Sequence, residues 1–285
     1  MDNIYYFSGQ INPEIIFAES VGSCTDLVAT IAKPLADMHP ELAVNISVFV
    51  DAYLLYTLIT GTSLFIDDDV RYIFKKQMEE ADILILNKID LLNAEQLEEV
   101  KQAIQHDYSG KKILLQNSFQ QQDIREWLNC IDEEAIAQKK SLELDYEIYG
   151  AGEAKLAWLD AVLQIHTEKT PAFKAGIFLA ETIHQRIKHQ QLTIGHLKYL
   201  IDDGKNQYKI SYTISSHHEN PEIISASNKV SVIINARVQT APEILKQIIN
   251  DSIDEASLKT NSKISVRFLS AFQPGFPKPA YRIAN

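Results

Sequence analysis

The sequence predicts an α/β protein. A doubly wound, mostly parallel sheet over residues 1–145 is followed by a smaller α+β domain over residues 150–285. Three observations predict this. The first half alternates short, unbroken apolar runs with helical patterns, as strands covered on both faces by crossover helices do. The second half changes to segments rich in β-branched and aromatic residues, separated by a hairpin turn and two long helical patterns. The charge also divides: residues 1–150 carry 11 basic and 26 acidic side chains, a net of −15, while residues 151–285 carry 16 and 12, a net of +4. Such asymmetry reads as two units, and their opposite signs imply mutual attraction.

In chain order, Glu14-Ile15-Ile16-Phe17-Ala18 reads as a buried strand and is followed by a helix from about Asp26 to Met38. Val44–Val50 is the next strand, with helical patterns over Ala52–Ile59 and Asp69–Ala81. Ile83–Leu86 is an uninterrupted apolar strand, Ala94–His106 an amphipathic helix, Lys112–Gln116 a strand and Gln121–Asn129 a helix. Asp132–Tyr149 serves as a connector. Beyond it lie a helix over Pro171–His189 and strands over Thr193–Ile201, Tyr208–Ser216 and Val230–Gln239. A helix over Pro242–Ala256 and a strand over Lys263–Phe272 complete the unit. Asp202-Asp203-Gly204-Lys205 makes the hairpin turn. The tail from Gln273 to Pro279 is too proline-rich to extend a helix or a central strand.

With 285 residues, 46% of them hydrophobic, the chain can bury a sizeable core. A net charge of −11 argues against nucleic acid as a partner. Two cysteines, Cys24 and Cys130, make neither a disulfide framework nor a thiolate cage, so a reducing, cytoplasmic setting is expected. Residues 1–10 lack the pattern of a targeting signal. The apolar stretch from Val44 to Ile66 is broken by Asn45, Ser47, Asp51 and Gly61, which argues against a membrane span.

The sharpest motif is Asn87-Lys88-Ile89-Asp90, directly after the strand Ile83–Leu86. Loops at the carboxyl ends of parallel strands line the ligand crevice of an open α/β sheet. Guanine presents N1–H and an exocyclic amine, and a carboxylate such as Asp90 accepts from both, whereas adenine would leave it unpaired. The Asn87 carboxamide either faces the base or tethers neighbouring loops, and the aliphatic stem of Lys88 can lie over the ring. The plain alternative is a helix-entry loop in which Asp90 and Asn93 cap. A second motif, Glu19-Ser20-Val21-Gly22, also follows an expected strand. Its carboxylate can orient water or hydrated magnesium near a terminal phosphate, and Gly22 permits close backbone approach; alternatively, Glu19 caps the next helix.

The combination IIFAESVG, ISVFVDA and QMEEADILILNKIDLL resembles the CobW/HypB/UreG group of GTP-dependent metal-handling proteins, closest to the CobW-like branch. The resemblance covers about residues 11–118, and Tyr149–Trp158 is similar to a segment of some members. It implies a P-loop GTPase fold, GTP and Mg2+ binding, slow hydrolysis, and delivery of a transition metal such as zinc or cobalt to a metalloprotein client. By motif, Glu19 and Gly22 correspond to the Walker B and switch region, and Asn87, Lys88 and Asp90 to the guanine-specificity loop. Asn117 and Ser118 supply a weaker base-side contact. Members carry an amino-terminal G-x-x-x-x-G-K-[ST] loop and a cysteine-rich motif; neither string occurs here. A fragment, a misassigned start or a split gene is the leading expectation. The alternatives are a scaffold that kept the fold and lost hydrolysis, and a partner chain that supplies the phosphate loop in trans.

The remaining constellations are bland. Glu181-x-x-His184 with His189 has a metal-ligand spacing but reads as a solvated helix face, and His217-His218-Glu219 as a polar loop. Asp67-Asp68-Asp69 reads as helix capping. His196 alternates along a strand and lines a face of the second domain.

Overall fold

The computed structural model describes residues 13–20, 22–62, 68–133, 140–168, 171–213 and 225–284. The first half is built on three parallel strands in the order β1 (Ser47–Asp51), β2 (Ile83–Asn87), β3 (Lys112–Gln116). A π-helical turn over Val28–Ala32 runs into α1 (Lys33–Met38), and α2 (Ala52–Ile59), α3 (Asp68–Glu80), α4 (Ala94–Asp107) and α5 (Gln121–Glu133) connect or flank the strands. Ile83, Leu84, Ile85 and Leu86 are fully buried, which explains why β2 has no polar alternation. Leu84 and Leu86 pack with Leu55 of α2 and with Val100 and Ile104 of α4, while Ile83 and Ile85 pack with Cys130 and Trp127 of α5. Each of the four contributes about 2 kcal/mol of apolar burial. Helices on both faces make this sheet doubly wound, as expected.

Residues 14–18 depart from expectation. They form no strand, and Ile15, Ile16 and Phe17 are exposed. A strand needs a ladder partner. Among the described residues β1 pairs only with β2, and 14–18 does not take up its other edge. Phe17 instead rests against Trp127 at 5.6 Å, and Trp127 meets Phe49 edge-on at 5.1 Å and donates its indole N–H to Ser47 Oγ.

The second half is an antiparallel five-stranded sheet in the order β6 (Gln207–Tyr212), β5 (Ile194–Asp202), β7 (Lys229–Val238), β4 (Ala157–Thr167), β8 (Ser262–Phe272). Two further helices, numbered after α6 below, pack against it over one core: α7 (Ala172–His189) and α8 (Pro242–Thr260). Two elements are additions to the sequence expectation. The interior strand β4 buries Ala157, Leu159, Ala161, Leu163 and Ile165 in strict alternation. The helix α6 (Tyr146–Ala154) occupies the end of the expected connector and packs on α3. There a Cβ on Gly152 would come within 2.7 Å of Ile73 Cδ1 and 3.0 Å of the Asp69 carbonyl oxygen, so only glycine permits the approach.

Ion pairs join the halves with the expected signs. Lys155 Nζ lies 2.6 Å from Asp69, and Arg282 Nε lies 2.7 Å from Asp26. The proline-rich tail returns to the first half, where Ile283 N donates to Ala29 O, Ser141 Oγ donates to Ile283 O, and Arg282 also donates to Leu142 O. Asp26 is 1% exposed and takes a further hydrogen bond from the Tyr146 hydroxyl. Removing one partner of a buried ion pair strands the other charge. Arg282→Ala is therefore expected to lower unfolding free energy by about 3 kcal/mol in urea titrations. Adding Asp26→Asn should recover part of that loss.

Glu80 provides a pH-dependent element. It accepts from Val28 N at 2.6 Å and Thr25 Oγ1 at 3.3 Å, but burial raises its pKa above the ordinary 4.5. The folded state then holds this proton more tightly than the unfolded chain does. Its contribution is complete below about pH 4.5 and is lost as pH rises through the folded value. Tm of Glu80→Gln relative to the parent should accordingly rise from acid pH towards neutrality; parallel Tm curves would contradict this assignment.

Candidate functional site

The parallel register aligns Asp51, Asn87 and Gln116 at the carboxyl ends of β1, β2 and β3. This row is where an open α/β sheet presents its crevice. A cavity of about 300 Å³ lies there, lined by Phe49, Val50, Asp51, Leu54, Asn87, Lys88, Gly195 and Thr213. The last two come from the second half, which closes one side of the crevice.

Asp51 serves two neighbours. Its Oδ1 accepts from Leu54 N at 3.0 Å and caps α2, while Oδ2 receives Lys88 Nζ at 2.7 Å. Lys88 also donates to Thr213 Oγ1 at 3.2 Å. Its backbone is left-handed, with φ of 60°, which turns the chain sharply into the short 3-10 helix Ile89–Leu91. The Lys88 ammonium is thus directed to the crevice and the second half.

Asn87 takes the tethering alternative: Oδ1 accepts from Ser118 N at 3.2 Å and Ser118 Oγ at 2.9 Å. This joins the loops after β2 and β3. Gln116 Nε2 donates to Ser118 Oγ at 2.9 Å, and Asp123 accepts from Asn117 N at 2.7 Å, so the second loop is pinned from three sides. Asp90 lies exposed on the 3-10 turn, and no hydrogen bond or ion pair to it occurs among the described residues. Asn93, not Asp90, caps α4, in a reciprocal box with Gln96. Phe119, one residue beyond the expected contacts, is 91% exposed on this loop.

Glu19 and Gly22 are placed elsewhere. Glu19 is exposed and lines neither this crevice nor the cavity beside it. Gly22 O accepts from Gln77 Nε2 at 2.8 Å, a Cβ added to Gly22 would meet nothing within 4 Å, and Val21 lies outside the described residues. Gly22 lines a second cavity of about 230 Å³ between the halves, with Leu54, Ile73, Phe74, Glu153, His196 and Arg237 among its walls. Asn87 and Lys88 on one side and Gly22 on the other therefore border adjoining cavities that share Leu54 and Gly195.

Sequence reasoning misses Glu153, Arg237 and Gln116. A carboxylate inside the apolar Tyr149–Trp158 segment is the available signal for Glu153. An arginine at an alternating strand position is the signal for Arg237. His196 does line a face of the second domain: it bonds Asn235 through Nε2, and burial lowers its pKa. His184 stacks flat on Tyr212, with ring centroids 3.9 Å apart. Among the described residues no group of three or more His, Cys, Asp or Glu is placed to hold a metal; His217, His218, Glu219 and Asp67 lie outside them.

The chemistry of these groups suits a purine base. An exposed carboxylate on a pinned loop can accept from a purine edge, and Glu19 belongs to no group of three or more His, Cys, Asp or Glu placed to hold a metal among the described residues. Replacing Asn87 by alanine should free the Ser118 loop. Two bonds of about 1 kcal/mol each predict roughly tenfold or faster amide exchange at Ser118 and Phe119. Unchanged exchange would show that the tether carries no load.

Residues 3–116 match the model of the family CobW/HypB/UreG, nucleotide-binding domain. The match ends at Gln116, two residues before Ser118. No curated protein matches the sequence. Among solved structures, the crystal structure of a hydantoinase/carbamoylase family amidase from Burkholderia ambifaria aligns at 12% identity and a TM-score of 0.25. That alignment covers 45% of this chain and 28% of the amidase chain, a likeness too slight to bear on fold or activity.

Proposed function

We propose, from the match of residues 3–116 to the CobW/HypB/UreG nucleotide-binding domain model, that this chain binds a guanine nucleotide over the carboxyl ends of β1, β2 and β3. Asp90 reads the guanine edge, and Phe119 offers an exposed ring face for stacking. Asn87 and Ser118 hold the two loops in register. Lys88, on its left-handed turn, is poised between the base loop and the crevice. The observation that carries the reading is the exposed Asp90 carboxylate on a loop tied to its neighbour by Asn87.

The reaction proposed is that of the resembling group: GTP binding, with magnesium-assisted hydrolysis, coupled to delivery of a transition metal such as zinc or cobalt to a metalloprotein client. Glu19 and Gly22 are the candidates on its phosphate side. No residue here is assigned to cradle the phosphates, since the sequence contains no G-x-x-x-x-G-K-[ST] string. A second reading, a binding or scaffold protein without hydrolysis, draws support from that same feature and from the position of Glu19 outside both cavities. A phosphate loop contributed by a partner chain would reconcile the two. No helix among the described residues is long and apolar enough to cross a membrane. The cytoplasmic setting is proposed from the family's metal-handling role and from the presence of only two cysteines, too few for a disulfide framework.

Titration with a fluorescent guanine nucleotide, with and without magnesium, tests the base-reading step. Binding displaced by GTP but not by ATP is expected, and Asp90→Ala should erase at least tenfold of that preference, about 1.4 kcal/mol. Equal competition by ATP, or an unaltered preference in Asp90→Ala, would refute it.

A further inference from the structure

One face of the five-stranded sheet is covered by α7 and α8, which share a core with inward residues such as Leu163, Leu197 and Ile234. The opposite face is open, with Ile233 45% exposed and Phe268 52% exposed. The register arranges its residues in rows that cross the strands. Leu200, Ile233, Val162 and Phe268 are successive partners from β5 to β8, so four apolar side chains form one line about 14 Å long.

The charge around that line is mostly of one sign. Lys209 stands opposite Leu200 at one end, with Lys198 two residues along β5. Arg267 adjoins Phe268 at the other end and donates to Gln164 on the same face. Farther along the strands, Lys229 and Lys263 flank His166 from either side. These four lysines and Arg267 are exposed, and none of the five makes an ion pair among the described residues. The two carboxylates on this part of the face are already engaged. Asp160 accepts from the Asn235 amide, and Asp202 accepts from Gly204 N at 2.6 Å and Gln207 Nε2 at 2.8 Å. A chain of net charge −11 thus carries a basic face with an apolar centre.

Complementarity then selects the occupant, which must bring negative charge around apolar anchors. A second copy packed face to face would set five basic groups against five. A nucleic acid on such a sheet stacks its bases on central aromatic rings, whereas the centre here is Ile233 and Val162. An anionic bilayer extends past the face and meets the first half, whose net charge over residues 1–150 is −15. A short acidic segment makes only the local contact, within a screening length of about 8 Å.

We propose that this open sheet face docks an acidic segment of a partner protein. Its apolar side chains cover Ile233, Val162 and Phe268, and its carboxylates meet Lys198, Lys209 and Arg267. The inference goes beyond the nucleotide reading and does not rest on it, because none of these residues lines either cavity.

Fluorescence anisotropy of the full chain tests this with a labelled dodecapeptide of glutamate that carries leucine at every third or fourth position. Saturable binding in the micromolar range is expected at about 0.05 M salt, weakened at least about fivefold at about 0.5 M. Replacing the leucines by serine should weaken binding at least about tenfold. The same loss is expected in the Lys209→Glu/Arg267→Glu protein and in the Ile233→Ser/Phe268→Ser protein, all four positions being exposed. Lys246→Glu, exposed on α8 across the sheet, should bind as the parent does. Asp90→Ala should also bind the peptide as the parent does, so failure here and failure of the nucleotide reading are separately visible. Absence of saturable binding, equal binding of a peptide with lysine for glutamate, or displacement by GTP would each overturn the proposal. So would undiminished binding in either double variant, once far-UV circular dichroism and Tm show it folded; the peptide series decides the matter if a variant does not fold. Tighter binding of oligouridylate or of phosphatidylserine vesicles would overturn it in favour of those partners.

Discussion

The carboxylate of Asp26 is the interaction on which the rest of the arrangement depends. It is 1% exposed on a residue with φ of 67°, a backbone that L side chains rarely adopt. Burying a carboxylate is costly unless charge and hydrogen bonds replace water. Arg282 supplies the charge through Nε at 2.7 Å and NH2 at 3.3 Å, and Tyr146 supplies a hydroxyl. Burial and the adjoining Asp26 carboxylate push Tyr146 up to about 12, so it remains a donor across the physiological range. Three distant parts of the chain thereby meet at one group: the turn before the π-helical segment, the start of α6, and the carboxyl-terminal tail.

That meeting point sets where the candidate site can form. The turn after Asp26 is also held by Glu80, and Gln77 holds the carbonyls of Gly22 and Cys24, so residues 22–28 are fastened to α3. α6 is fastened to the same helix by the Gly152 contact and the Lys155–Asp69 pair. Both cavities then lie against one supported frame. The second half contributes Gly195 and Thr213 to the crevice and Arg237 and His196 to the inner cavity, contributions that exist only because the tail and α6 draw it in.

The legible parts of the fold are those whose pattern is local. β2 is readable because four consecutive apolar residues between helical patterns suit a strand covered on both faces, and α2 and α5 follow from periodicity. The strand expected at 14–18 fails for a non-local reason: its apolar side chains suit a strand, but no described strand edge receives it. β4 escapes notice although its burial alternates strictly, because the apolar Trp158 and Val162 on the outer face blur the period. At the site, the placement of Asn87, Lys88 and Asp90 beyond β2 is readable from position alone. The use of Asn87 as a tether is one of two open alternatives, and the Lys88–Asp51 pair is not readable, since it joins positions 37 residues apart. Glu153 and Arg237 depend on domain docking, which leaves no local pattern.

The sharing of Leu54 and Gly195 by two cavities follows from this architecture and constrains how the molecule can respond to a ligand. Asp51 caps α2 with one oxygen and binds Lys88 with the other, so the start of α2 and the base loop share one carboxylate. Leu54 lies in the first turn of that helix and lines both spaces. Gly195 lines both spaces from the opposite side, where a Cβ would come within 3.2 Å of the Arg237 carbonyl oxygen, so β5 and β7 approach closely at that point. Close-packed interiors pass displacements on instead of absorbing them. Adjacency alone is not coupling, which requires that a ligand in one cavity bind two arrangements of α2 unequally. Lys88 holds Asp51 and Thr213 of the second half at once, so the base loop, the start of α2 and the second half meet at one ammonium group. A nucleotide that recruits Lys88 would release Asp51 Oδ2, while Oδ1 of the same carboxylate holds the amide of Leu54, the residue common to both walls.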